Sequence, residues 1–120
     1  MSEFATAAVK SLVPFSALEA LDIRVGTIER VEEVTRSDKL MRLTVNFGDH
    51  SRVILAGIRK ERETPKEIEG KQALFVLNLE PRMMAGEISE GMLFDLGYAD
   101  GIKPALAVPE WPVPNGTRAG

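Results

Sequence analysis

The sequence of 120 residues contains no cysteine, and that absence removes disulfides, thiolate metal sites and cysteine nucleophiles together. Histidine occurs once, so any mechanism that needs an imidazole base rests on His50 alone. His50 stands in the turn Gly48-Asp49-His50-Ser51, with no neighbouring serine in the strained setting of a nucleophile elbow, and reads as an exposed turn residue. Rings are scarce too: one tryptophan (Trp111), one tyrosine (Tyr98) and five phenylalanines, of which Phe47, Phe75 and Phe94 fall in core-strand patterns. A platform on which single-stranded bases stack is therefore not expected. No apolar run approaches the ~20 residues that span a bilayer, so neither an integral membrane protein nor a membrane partner is expected. A phosphate-binding glycine loop, metal-ligand spacing and a dinucleotide fingerprint are all missing. Glu32 and Glu33 are adjacent, so on a strand they point to opposite faces and cannot work as a catalytic pair. Neither an enzyme nor a cofactor is expected.

An excess of positive charge is missing as well, since 15 lysines and arginines face 18 acidic residues for a net charge of −3. Distribution tells more than the sum. Six basic residues (Arg52, Arg59, Lys60, Arg62, Lys66, Lys71) stand against four acidic ones between Arg52 and Lys71, whereas Glu19 to Asp38 holds six acidic residues against three basic. The length fits one domain with one core. Its beginning, MSEFATAAVKSLVPF, places Glu3 ahead of the first apolar residues and Lys10 among them, the wrong order for a secretory signal, and the cytoplasm is the expected compartment. The sequon Asn115-Gly116-Thr117 is then coincidental.

Leu21, Ile23 and Val25 alternate with polar residues, but the next large apolar residue is Ile28, so the period slips at Gly26 and predicts a bulge or sharp bend in a long strand reaching about Val34. Met41, Leu43, Val45 and Phe47 keep period two, a half-buried strand. After the turn, Arg52 to Ile58 reads as a strand buried on both faces. Thr64-Pro65-Lys66-Glu67 combines a capping hydroxyl, a proline at the first helical position and a carboxylate able to reach back to the cap, and Gly70 ends this short helix. Ser16-Ala17-Leu18-Glu19 hints at another capped turn. Ala73 to Leu79 and Gly91 to Tyr98 supply the fourth and fifth strands. The expected fold is all-β: a five-stranded Greek-key barrel of the OB type with a short helix between strands 3 and 4, an SH3-like barrel being the alternative.

The connection Asn78 to Phe94 carries the most informative side chains. Asn78 interrupts an apolar strand, and a buried amide left unpaired costs about 1 to 3 kcal/mol, so it either satisfies the following loop or contacts a ligand. Arg82, stiffened by Pro81, can offer a planar fork to phosphate. Met83 and Met84 are either a plug for the barrel's end, the reading preferred, or an adaptable apolar surface.

From about Phe15 to the end, the chain resembles the stand-alone tRNA-binding domain family, which also supplies the C-terminal module of many methionyl-tRNA synthetases and the domain of endothelial monocyte-activating polypeptide. The resemblance is carried by Leu21-Asp22-Ile23-Arg24-Val25-Gly26, by Ser37-Asp38-Lys39-Leu40, by Ile54-Leu55-Ala56-Gly57-Ile58, and above all by Asn78-Leu79-Glu80-Pro81-Arg82 with Gly86, Ser89, Gly91, Met92 and Leu93. It implies an OB fold that binds the outside of folded tRNA by shape and backbone charge, without catalysis, either alone or as an auxiliary subunit of an aminoacyl-tRNA synthetase. Asn78, Arg82 and Ser89, together with Lys39 and Arg42 around the second strand, match the family's RNA-facing positions. Glu61-Arg62-Glu63 stands where many relatives place tyrosines. The end, Val113-Pro114-Asn115-Gly116-Thr117-Arg118, looks like that of the export-related chaperone CsaA, a sister branch, and implies binding of unfolded preprotein as the alternative function. Residues 1–14 are then expected to be a leader, 15–98 the barrel, and 99–120 an extension whose Ala105-Leu106-Ala107-Val108 and Trp111 pack at a homodimer interface.

Overall fold

The structure, a computed structural model, describes residues 4–120; Glu3 and the first residues of the expected leader lie outside them. One antiparallel sheet organises the chain. Its strands are β1 (Ile23–Glu33), β2 (Met41–Asn46), β3 (Ser51–Ala56), β4 (Gln72–Val76) and, after the two-stranded hairpin β5 (Arg82–Met84) and β6 (Glu87–Ser89), the short β7 (Met92–Leu93). Their order is β3-β2-β1-β4-β7. The sheet curls around a core in which Ile28, Leu43, Val45, Phe47, Ile54 and Phe75 are almost wholly buried, with Phe75 meeting Phe47 edge-on at 5.4 Å between ring centres. This is the expected OB-like, all-β architecture, with little helix.

The curl has two local causes. Gly26 is buried, and a Cβ there would stand 2.6 Å from Val45 Cγ1 and 2.7 Å from Phe47 Cε1, so only glycine permits the inner faces of β1 and β2 to approach this closely. The extra residue expected at Gly26 is found slightly later: the β1–β2 register shifts between Ile28 and Arg30, a bulge that turns Ile28 and Val31 both inward. Sequence periodicity locates the slip only to within a few residues, because Thr27 and Glu29 are both polar.

Closure depends on the free edge of β3. Leu55 N donates to Ser89 Oγ at 2.9 Å, Val53 N donates to Glu90 Oε1 at 3.1 Å, and Glu90 N donates to Val53 O at 2.9 Å. Side-chain oxygens thus stand in for a strand that is not there, and the edge is left with few orphan amides.

Smaller expectations shift. The segment over Pro65–Ile68 is a single 3-10 turn; Thr64 makes no side-chain cap bond, and Glu67 accepts instead from Arg62 Nη1 at 2.8 Å. Ile68 anchors the turn in the core. The helix near the start, α1 (Phe15–Glu19), follows Pro14 and has no side-chain cap, with Ser16 inside it. The fourth strand ends at Val76, and the fifth divides into β7 and β8 (Asp95–Leu96), the latter pairing with β9 (Ala105–Leu106) of the tail.

The tail also packs back on the barrel. Leu74 N donates to Ala107 O at 2.9 Å, Val25 N to Thr117 O at 2.9 Å, Gly116 N to Val25 O at 2.7 Å and Ala119 N to Ile23 O at 2.8 Å. Asn115 Oδ1 accepts from Thr27 Oγ1 at 2.8 Å and from Gln72 Nε2 at 2.9 Å, which ties the sequon into the fold. Among the described residues no helix is long and apolar enough to cross a membrane.

Candidate nucleic-acid interface

The hairpin β5–β6 is the platform on which the site is built. Its two-residue turn has Ala85 at φ 50° and Gly86 at φ 83°, the left-handed pair that matches the twist of the flanking strands. Two anchors hold the hairpin against the barrel. Arg42, on β2, donates from Nε to Glu87 Oε1 at 2.7 Å and from Nη2 to Glu87 Oε2 at 2.9 Å, a forked pair. Ser89, buried to 4% exposure, accepts from Leu55 N and donates to Gly91 O at 3.0 Å.

Beside this hairpin lies a cleft of about 790 Å³. Lys39 and Lys60 stand on its rim with Arg82, over an apolar lining that includes Leu55, Ile58, Met84, Met92 and Phe94, with Tyr98 at one side. Lys39 and Arg82 are exposed, and among the described residues no carboxylate pairs with either. Lys60 is engaged by Asp38 at 3.0 Å, an exposed pair that is easily exchanged. Arg36 leans over the hairpin turn: a Cβ on Gly86 would lie 3.1 Å from its Nη1.

The five residues singled out from the sequence therefore separate into two groups. Lys39 and Arg82 line one cleft, and among the described residues neither is ion-paired. The other three are engaged within the fold. Glu87 beside Arg42 holds its guanidinium firmly protonated, pushes its own carboxyl below the usual carboxylate range in return, and leaves Arg42 little net charge to present; Glu32 adds a longer contact at 3.4 Å. Asn78 has both ends of its amide occupied, Oδ1 accepting from Asp22 N and Nδ2 donating to Ala20 O, each at 2.7 Å, so it pins the segment entering β1. Ser89 has its hydroxyl fully used in barrel closure. The methionines do not plug the barrel: Met83 is 65% exposed, and Met84 lines the cleft. Lys60 was legible only as one of a basic run, and Arg36 carried no signal of its own. Among the described residues no group of three or more histidines and carboxylates could hold a metal ion.

An OB-like barrel with a cationic, partly apolar cleft beside its β5–β6 hairpin is an architecture that small binding modules use. The chain belongs to the family described as "Putative tRNA binding domain", whose profile matches residues 23–118. A methionine–tRNA ligase of Chlorobium chlorochromatii (strain CaD3) is 41% identical over 92 residues, covering 77% of this chain and 13% of that enzyme. The chain spans only 13 to 15% of the length of such curated relatives. Among solved structures, a MetRS-related protein from Pyrococcus horikoshii superposes with a TM-score of 0.84 at 32% identity, covering 92% of this chain and all of that one. The chaperone CsaA from Bacillus anthracis (strain Ames) superposes at 0.80 with 30% identity, again over 92% of this chain and all of that one.

Proposed function

We propose that this protein binds folded tRNA by backbone charge and shape, through the cleft that carries Lys39, Lys60 and Arg82. The observation that carries the proposal is the convergence of Lys39 and Arg82, two exposed cations with no carboxylate partner among the described residues, on one concave surface of a chain whose net charge is negative. Membership of the tRNA-binding family supports it. Phosphate contacts give orientation and salt-dependent affinity without reading sequence. The protein acts in the cytoplasm by binding rather than catalysis, and an aminoacyl-tRNA synthetase is the partner to which it would bring tRNA. It works as a homodimer, in which Leu96, Ile102, Val108 and Trp111, all at least 41% exposed after the tail has packed on its own barrel, are covered by a second copy that doubles the cationic surface.

Filter binding with total tRNA over a salt series tests the proposal: affinity should fall steeply with salt, and a flat salt response would overturn it. The apolar lining of the cleft and the exposed cross-strand pair Met83–Ile88 favour one second reading, capture of unfolded polypeptide, consistent with the likeness to CsaA. Binding of an unfolded apolar polypeptide that survives salt, in place of tRNA, would select it.

A further inference from the structure

The cleft also holds two carboxyl groups for which RNA binding by cations has no use. Glu61 lies between Lys60 and Arg62 in the connection after β3, Asp95 is the first residue of β8, and both line the cleft. One oxygen of each, Glu61 Oε1 and Asp95 Oδ1, is sealed from solvent and finds no hydrogen-bond donor among the described residues. Two ionised carboxylates sharing one cleft wall would each lack a proton to give and would repel the other. One shared proton resolves both difficulties, because one group then donates, the other accepts, and the pair carries one negative charge instead of two.

The surroundings agree. Burial pushes the Glu61 carboxyl up to about 7, the neighbouring Asp95 carboxyl adds to the rise, and Arg62 opposes it. Arg62 is itself engaged by Glu67, Lys60 by Asp38, and among the described residues no cation forms an ion pair with Glu61 or Asp95. The remaining charged groups on the cleft are Lys39 and Arg82, and Tyr98 supplies a phenol.

We propose that Glu61 and Asp95 hold one proton between them as a charge gate on the cleft: with the proton in place the cleft favours a phosphodiester chain, and its loss sets a second negative charge beside Lys39 and Arg82 and loosens that chain. The inference rests on the RNA reading of the same cleft and adds its regulation. By linkage, a bound polyanion favours the protonated pair, so binding takes up a proton wherever the free pair is partly ionised. Affinity is level on the acid side and falls as pH rises through neutrality.

The test is tRNA binding at constant ionic strength between about pH 6 and about pH 8.5, with wild type, Glu61→Gln and His50→Gln. Wild type should weaken roughly two- to fivefold across that range, the effect of one added charge near phosphate in a solvent-exposed cleft. Glu61→Gln keeps the shape and donates permanently to Asp95, so it should bind with little pH dependence at the level of wild type near the acid end. His50→Gln, which removes the one histidine of the sequence, should keep the wild-type profile. A flat wild-type profile, or a pH dependence that persists in Glu61→Gln or disappears in His50→Gln, overturns the inference. Absence of tRNA binding at every pH overturns the RNA reading instead. The pair is then decided separately by following the Glu61 side-chain carbon by NMR in the free protein: a midpoint near 7 supports the shared proton, and one near 4.5 removes it.

Discussion

Arg42 and Arg82 carry the same guanidinium and differ in what surrounds it. Arg42 is half-buried and clamped by Glu87, whereas Arg82 is exposed on β5 with no carboxylate partner among the described residues. Replacing Arg82 by alanine should therefore weaken tRNA binding roughly three- to tenfold and lower the slope of log affinity against log salt by about 1, with the melting temperature unchanged. Arg42→Ala should leave that slope nearly intact, because an already neutralised cation releases few counterions, and should lower the melting temperature by freeing the hairpin. A salt series on both variants separates the two roles, and equal slopes would contradict the assignment. Ser89→Ala is expected to cost about 1 to 3 kcal/mol in a urea melt, since Leu55 N would be buried without an acceptor. These distinctions were not legible in the sequence. The residue types at Asn78, Arg42 and Ser89 suit RNA contact equally well, and their engagement within the fold is visible only through partners 34 to 58 residues away.

Elements show the opposite balance. Met41 to Phe47 declares itself a strand because the pleat imposes period two and one face is core, and the register of β2 with β1 and β3 keeps that face inward throughout. The run over β3 is apolar because Ile54 faces the core of the curled sheet while Leu55, on the opposite face, is buried in the wall of the cleft. Where sequence reasoning missed, the element was short or depended on a distant segment: the turn at Pro65–Ile68 is too brief for its cap residues to matter, and β8 exists through its pairing with the tail. The hairpin turn gives a prediction at this scale. Ala85 holds a left-handed φ of 50°, which costs an L-residue with a Cβ roughly 1 kcal/mol or more. Ala85→Gly, or Ala85→Asn with its local hydrogen bonding, should raise stability by about 0.5 to 1 kcal/mol and tighten the platform under Arg82. Chemical denaturation reads this directly, and a loss of stability in both variants would show that the turn does not have this geometry.

For the whole molecule, protons couple stability to the same groups that shape the site. The carboxyls of Asp22, Asp38, Asp49 and Glu87 are held below their ordinary values by Arg24, Lys60, His50 and Arg42 respectively, so their contribution is present above the unfolded values and is lost as pH falls through the folded ones. Glu61 has the opposite sign. Its folded value lies above its unfolded one, so in the window from 4.5 to about 7 the folded state binds more protons than the unfolded chain, and stability declines as pH rises through it. The two trends place maximum stability on the acid side of neutrality. Thermal melts across pH should show a maximum there, with a decline toward neutral pH that Glu61→Gln abolishes while leaving the acid limb unchanged. High salt should weaken the share of the acid limb that belongs to the exposed pairs Asp38–Lys60 and Asp49–His50, whereas the decline due to a partly buried carboxyl pair should persist. A decline toward neutral pH that is identical in wild type and Glu61→Gln would mean that Glu61 is ionised throughout, and its sealed oxygen would then need a donor other than a proton shared with Asp95.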